Sequence, residues 1–175
     1  MGMTTQDSRI AGTAPAPQGR HCAEHVIEIA ASGQAVRAAL FDFGGWSAWN
    51  PLYPEAGGTL APGETLRFAV LLEGMKPNRS TATVLAADPA AGTIRYEVRA
   101  MGGLARATRY IAVDEVAPGR VRVVNGEAMG GLLGPLLFRA VGEKVRRGLE
   151  GMNRALQARL ETARRVADAQ GEETA

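Results

Sequence analysis

The chain has 175 residues, 46% hydrophobic and 22% charged, which is one domain's worth of sequence with enough apolar mass to bury a core. Its 20 Lys and Arg against 18 Asp and Glu give a formal charge of +2, and acidic or apolar residues interrupt every basic stretch, so no nucleic-acid footprint stands out. The single cysteine, Cys22, excludes an intrachain disulfide and fits a reducing compartment, and no stretch approaches the roughly 18 apolar residues of a membrane span, so a cytoplasmic protein without integral membrane association is expected.

Residues 1–22, with TAPAPQG at 13–19, lack hydrophobic period and are expected to form a disordered leader. The folded unit is expected over 23–165, with 166–175 as a frayed tail. HVIEIAA (25–31) reads as a strand. SGQAVRAALFDF (32–43) reads as a helix capped by Ser32, with Val36, Ala39, Leu40 and Phe43 on one face, and no helix is expected to pass Gly44-Gly45. Just behind stands WSAWNP (46–51), which places Trp46 and Trp49 beside a turn-forming Asn50-Pro51. Strand patterns follow in TLRFAVLLE (65–73), RSTATVLAA (79–87), TIRYEVRA (93–100), ARATRYIAV (105–113) and RVRVVNGEAM (120–129). Each separator is turn chemistry, so neighbouring strands should pair antiparallel. From Pro135 the period becomes helical, with Val141, Val145, Leu149, Met152, Leu156 and Leu160 three or four apart. This order predicts an α+β fold in which a curled antiparallel sheet wraps around one long C-terminal helix.

Alternation along the later strands assigns their faces. In TIRYEVRA the charged Arg95, Glu97 and Arg99 take the outer face, which leaves Ile94, Tyr96 and Val98 inside. In RVRVVNGEAM the inner set is Val121, Val123, Asn125, Glu127 and Met129, and in ARATRYIAV it is Arg109, Ile111 and Val113. Turn positions place Arg109 opposite Asn125, near Tyr96, with Glu127 on the diagonal. Tyr96, Arg109, Asn125 and Glu127 then form a polar row beneath the terminal helix. Two readings of the row remain open: an ion pair holding sheet and helix in register, or a set that orients a carbonyl, hydroxyl or carboxylate of an otherwise apolar ligand. Gly142, Gly148 and Gly151 each cost roughly 1 kcal/mol against Ala in a helix. Close approach of the helix to the sheet, or room for a ligand beside Leu149 and Met152, would offset that loss.

The chain lacks GxSxG, CxxC, HExxH and a dinucleotide GxGxxG after a strand. HCAEH (21–25) gathers two His, a Cys and a Glu, but strand alternation throws these side chains apart, so neither a metal nor a cofactor is expected.

Three segments in order, WSAWNP after the first helix, VVNGEAMGGLLGPLL (123–137) in the last strand and GLEGMNRALQARLE (148–161) in the last helix, resemble the START-like or SRPBCC superfamily over residues 25–161. These are helix-grip proteins, among them polyketide cyclases and dehydrases and lipid-transfer domains. The resemblance implies a cavity between sheet and helix that takes a small apolar ligand such as a lipid, polyketide or aromatic metabolite. It also implies that WSAWNP borders the entrance, so that Trp46, Trp49 and Asn50 join Phe68, Val98, Ile111, Asn125, Met129, Leu149 and Met152 as ligand-contacting residues. The residues themselves allow the other reading, in which Trp46 and Trp49 close one end of the core and Asn50 makes a turn. A second implication is an enzyme of the cyclase or dehydrase type, with Glu127 as general acid or base and Arg109 and Tyr96 polarising a carbonyl. Burial would raise the pKa of Glu127 and an adjacent Arg109 would lower it. A protein-interaction module of the chaperone-activator branch is the third implication, and a homodimer is left open.

Overall fold

A computed structural model describes residues 21–172, with side chains described as far as Val166. The leader expected over 1–22 lies outside this range except for His21 and Cys22. In chain order the elements are β1 (Cys22–Ile29), α1 (Gly33–Phe41), a 3-10 helix (Phe43–Ala48), β2 (Glu55–Gly57), β3 (Thr65–Val70), β4 (Asn78–Asp88), β5 (Thr93–Ala100), a 3-10 turn (Met101–Gly103), β6 (Ala105–Ala117), β7 (Arg120–Gly130) and α2 (Gly134–Glu172). The seven strands form one antiparallel sheet in the order β1-β7-β6-β5-β4-β3-β2. Its concave face packs on α2, which lies against β1, β7 and β6. The architecture is the helix-grip fold, α+β with a curled antiparallel sheet around the C-terminal helix. Among the described residues no helix is long and apolar enough to cross a membrane.

Local chemistry accounts for most boundaries. Ser32 caps α1, its Oγ accepting from Ala35 N at 3.2 Å. The chain does not stop at Gly44-Gly45 as expected, because Asp42 Oδ1 accepts from Gly45 N at 3.1 Å and opens a 3-10 helix through both glycines. β1 begins at Cys22, three residues earlier than its apolar pattern, because β7 is long enough to pair with it from Ala128 to Val121. β2 has only three residues, too few to show a period, and exists by pairing with the edge of β3. β3 ends at Val70, after which Leu71 N donates to Leu52 O at 2.9 Å instead of extending a ladder. α2 runs on to Glu172, past the expected end of the folded unit at 165.

The expected faces hold. Ile94, Tyr96, Arg109, Ile111, Val121, Val123 and Met129 are buried on the concave side. A register shift between Val84 and Ala86 on β4 makes a bulge that bends the sheet toward α2. The β6–β7 register differs from the expected one by two residues: Arg109 stands directly opposite Glu127, and Asn125 opposite Ile111. Glycine and proline place the turn only approximately: the hairpin closes over Pro118-Gly119, between Ala117 and its partner Arg120, and the shift between Glu115 and Ala117 then moves the register by one residue. A slip of two preserves every facing, whereas a slip of one would have inverted them.

Of Gly142, Gly148 and Gly151 on α2, only Gly148 is crowded by another segment, Gly142 faces a side chain of its own helix, and Gly151 has only ordinary van der Waals contact. A Cβ at Gly148 would come within 2.7 Å of Leu52, one at Gly142 within 2.8 Å of the Phe138 ring, and one at Gly151 has Pro51 at 3.8 Å. At Gly148 the Leu52 side chain, rather than the sheet or a ligand, approaches the helix closely.

On the convex face Tyr110 is buried because its ring lies over Gly126, its partner on β7, where an added Cβ would run into the phenol. The Tyr110 hydroxyl donates to Glu24 at 2.5 Å and sits 3.0 Å from Cys22 Sγ. Gly126→Ala is expected to lower the unfolding free energy by about 1–3 kcal/mol in urea denaturation. The Gly126→Ala/Tyr110→Ala double variant should lose less than the sum of the two single losses, because removing the ring makes room for the methyl.

Candidate functional site

A cavity of about 240 Å³ lies between the first turns of α2 and the concave sheet. Leu137, Val141 and Val145, spaced at i, i+4 and i+8, form its roof. Phe68, Val70, Val98 and Met129 give it apolar walls from three strands. Seven polar residues line the same space: Tyr53 from the loop after the 3-10 helix, Asn78 and Ser80 from β4, Tyr96 from β5, Arg106 and Arg109 from β6 and Glu127 from β7. Tyr96 and Arg109 are paired neighbours on β5 and β6, and Arg109 and Glu127 on β6 and β7, so three adjacent strands deliver one continuous row.

Arg109 is 1% exposed. Its Nη2 donates to Met152 Sδ at 3.3 Å, and its Cζ lies 6.0 Å from the Tyr53 ring centroid. Both contacts compensate a charge poorly, because a thioether is a weak acceptor and a cation–π contact contributes about 0.5–2 kcal/mol. Nε and Nη1 have no hydrogen-bond partner. The Tyr53 and Tyr96 hydroxyls meet at 2.8 Å, and burial pushes both pKa values up, so both phenols stay protonated. Glu127 is half-buried and makes no side-chain hydrogen bond or ion pair with any described residue. Of the two readings of the polar row, the ion pair between Glu127 and Arg109 is therefore not formed. Burial raises the Glu127 pKa, and the attraction of Arg109 offsets this only in part.

Beneath the cavity a second polar chain runs out to β1. Asn125 Nδ2 donates to Asn153 Oδ1 at 3.0 Å and to Met152 Sδ at 3.3 Å, and Asn153 Nδ2 lies 2.9 Å from His25 Nδ1. Asn125 Oδ1 is left without a partner. This network holds Met152, and through it Arg109, in place.

The expected site residues divide in two. Tyr96, Arg109, Glu127, Phe68, Val98 and Met129 line the cavity. Asn125, Ile111, Leu149 and Met152 are buried in the packed layer around it and do not reach its surface. The expectation that WSAWNP borders the entrance is corrected. Trp46 is fully buried, donates from Nε1 to Leu40 O at 3.1 Å, and packs on Tyr53 with ring centroids 5.2 Å apart, so Tyr53 stands between it and the cavity. Trp49 faces a groove lined by α1 and by Ala158–Ala163 of α2, about 20 Å along the helix from Val145 at 1.5 Å per residue. Asn50 makes a turn, its Oδ1 accepting from Leu52 N at 3.1 Å. Sequence reasoning missed Tyr53, which sits in an irregular loop where no period assigns a facing, and Asn153, a polar residue on the apolar stripe of α2.

Among the described residues no group of three or more His, Cys, Asp or Glu is arranged to hold a metal ion. HCAEH is divided by alternation, His25 contacting Asn153 inside while Cys22 and Glu24 meet Tyr110 outside.

Against known proteins, residues 20–162 match the model of the family described as polyketide cyclase / dehydrase and lipid transport. The chain belongs to that family. Among solved structures it is similar to the Zhui aromatase/cyclase from Streptomyces sp. R1128, with 17% identity, TM-score 0.67, and 80% of this chain and 93% of that one covered. It is also similar to a START superfamily protein from Mycobacterium smegmatis, with 20% identity, TM-score 0.62 and coverage of 82% and 99%. Norcoclaurine synthase from Thalictrum flavum, in complex with dopamine and hydroxybenzaldehyde, matches at 14% identity, TM-score 0.59 and coverage of 78% and 84%. At these identities the likeness shows a shared fold. No curated protein matches at a significant level.

The folded state holds the Glu127 proton more tightly than the unfolded chain does. Its contribution therefore favours the fold at acid pH and declines as pH rises from the ordinary carboxylate value through the raised one. Glu127→Gln is expected to be neutral or stabilising at pH 7 and to flatten that decline, read by urea denaturation across the pH range. A loss of about 3–5 kcal/mol at pH 7 would instead mark Glu127 as the direct partner of the Arg109 charge.

Proposed function

We propose that this protein binds a compact, mostly apolar molecule carrying at least one oxygen, in the cavity between sheet and C-terminal helix, with Arg109 receiving that oxygen. The observation that carries this reading is a buried guanidinium, two of whose donors have no hydrogen-bond partner, beside a cavity whose walls mix apolar side chains with a few polar ones. Burying a charge costs several kcal/mol unless its hydrogen bonds are met, and a ligand carbonyl, enolate, phenolate or carboxylate would meet them. The volume of about 240 Å³ lies just below the roughly 300–1,000 Å³ of drug-sized pockets, which favours a one- or two-ring metabolite over a long-chain lipid. Family membership supports ligand binding or cyclase-type chemistry in general terms.

A second reading is favoured by Glu127, a cavity-wall carboxyl with a raised pKa and no ion pair. A carboxyl tuned toward neutrality can take a proton from carbon next to a carbonyl and return it. Arg109 and the protonated Tyr96 would stabilise the enolate oxygen. Each proton removed by Glu127 then returns to the same substrate framework or leaves with an eliminated hydroxide as water, which is the balance of an isomerising, cyclising or dehydrating step.

Calorimetric titration separates these ideas from the alternative of a merely structural Arg109. A naphthoate is expected to bind at least about tenfold more tightly than naphthalene, from the roughly 1.5–3 kcal/mol of a hydrogen bond to a charged group. Arg109→Met should erase that preference while the hydrocarbon still binds. Equal affinity of the wild type for both probes would sink the assignment. For the catalytic reading, an aryl ketone bound in D2O should exchange its α-protons, and Glu127→Gln should abolish exchange while leaving binding within about threefold.

A further inference from the structure

The end of the fold where the cavity opens carries a surface that ligand binding does not use. Met101, Leu104, Leu132 and Leu136 are 70%, 49%, 80% and 65% exposed. Backbone contacts bring the first three together: Leu133 N donates to Leu104 O at 3.0 Å, and Gly131 is so close to Leu104 O that a Cβ there would run into it. Leu136 follows one turn later on α2. These four side chains therefore crown one lip of the opening, directly beyond the cavity-lining Ala100, Ala105 and Leu137.

Two independent features argue that the crown is built rather than incidental. Met101 has φ of 53°, a left-handed conformation that a methionine adopts at a cost and that the chain holds only where its surroundings impose it. The strain presents an apolar side chain to water, so the position is penalised twice. Charge is the second feature. Arg106, which also lines the cavity, and Arg139, one turn from Leu136, form no ion pair with any described residue. The acids nearby are already engaged, Glu97 by Arg99 and Glu143 by Arg146 and Arg147. The crown is thus aliphatic and rimmed by two cations that form no ion pair with any described residue, and Glu127, the carboxyl left unpaired, lies within the cavity wall rather than on the crown.

We propose that this face docks peripherally on an anionic lipid surface, with Met101, Leu104, Leu132 and Leu136 entering the headgroup–acyl boundary and Arg106 and Arg139 meeting lipid phosphates. Aliphatic tips beside unpaired cations are what interfacial binding to anionic lipid requires. A folded protein partner is the poorer fit, because protein interfaces centre on aromatic anchors and none of the four apolar tips is aromatic. The cavity opening would then face the apolar phase in which water-insoluble ligands are dissolved.

The test is vesicle co-sedimentation of the full chain without added ligand, so its failure leaves the cavity reading untouched. Partition onto phosphatidylglycerol vesicles is expected to exceed that onto phosphatidylcholine by at least about tenfold and to weaken as salt is raised. Leu132→Asp/Leu136→Asp should lose about tenfold or more in partition with an unchanged melting temperature, since both side chains are solvent-exposed. Met101→Gly should reduce partition while melting no lower, because glycine relieves the strained φ. Wild-type protein that stays in the supernatant with anionic vesicles, or variants that partition like the wild type, would overturn the proposal. Absence of partition together with a concentration-dependent dimer that Leu132→Asp/Leu136→Asp dissolves would reassign the face to a protein partner.

Discussion

One buried guanidinium sets the terms for the rest of this molecule. Arg109 lies on β6, an interior strand between β7 and β5, and its charge cannot escape to water past β5, β7 and α2. The fold surrounds it with groups that tolerate a cation without neutralising it: a thioether, an aromatic ring and two protonated phenols. Had Glu127 closed into a contact pair, the site would be electrostatically quiet. Held apart, the pair leaves a cation with spare donors and a carboxyl whose pKa is governed first by burial. That combination is unfavourable for stability and useful for recognition or proton transfer, the trade expected where local rules yield to function.

Supporting layers serve the same constraint. Met152 holds Arg109 from below and is itself held by Asn125, whose amide is fixed by Asn153 and, through it, by His25 on β1. Polar groups on β7, α2 and β1 are thereby tied beneath a cavity that is apolar above. The Tyr53–Tyr96 hydroxyl contact ties the loop after the 3-10 helix to β5. Trp46, Phe43 and Phe68 stack around that loop and close the far end of the core, which is why the two indoles, conspicuous in the sequence, stand behind the site rather than at its opening.

The two ends of the fold are physically different. The end near Trp46 is an aromatic cluster with its indole N–H satisfied. The opposite end has glycine-rich turns, a strained methionine and exposed aliphatic side chains. A dense aromatic base gives the cavity rigid walls, and thin turns at the other end leave it an opening.

The sequence by itself determined the elements whose period is long enough to be read. β5 is bounded as its alternation says, and α2 begins where Pro135 and the helical period say. Alternation also settled that Tyr96, Arg109 and Glu127 share the concave face, because pleating leaves a strand residue only two choices. Tertiary structure decided the rest. The β6–β7 register, which exchanges Asn125 for Glu127 as the neighbour of Arg109, depends on where the hairpin closes and on a one-residue bulge, neither of which composition fixes. Tyr53 enters the cavity from a loop without period, and the Trp46 orientation follows from one hydrogen bond to Leu40 O. Whether Arg109 and Glu127 touch was likewise beyond the sequence. Strand pattern places two side chains on one face, but only the packing of Met152 and Tyr53 around the guanidinium decides which way it reaches.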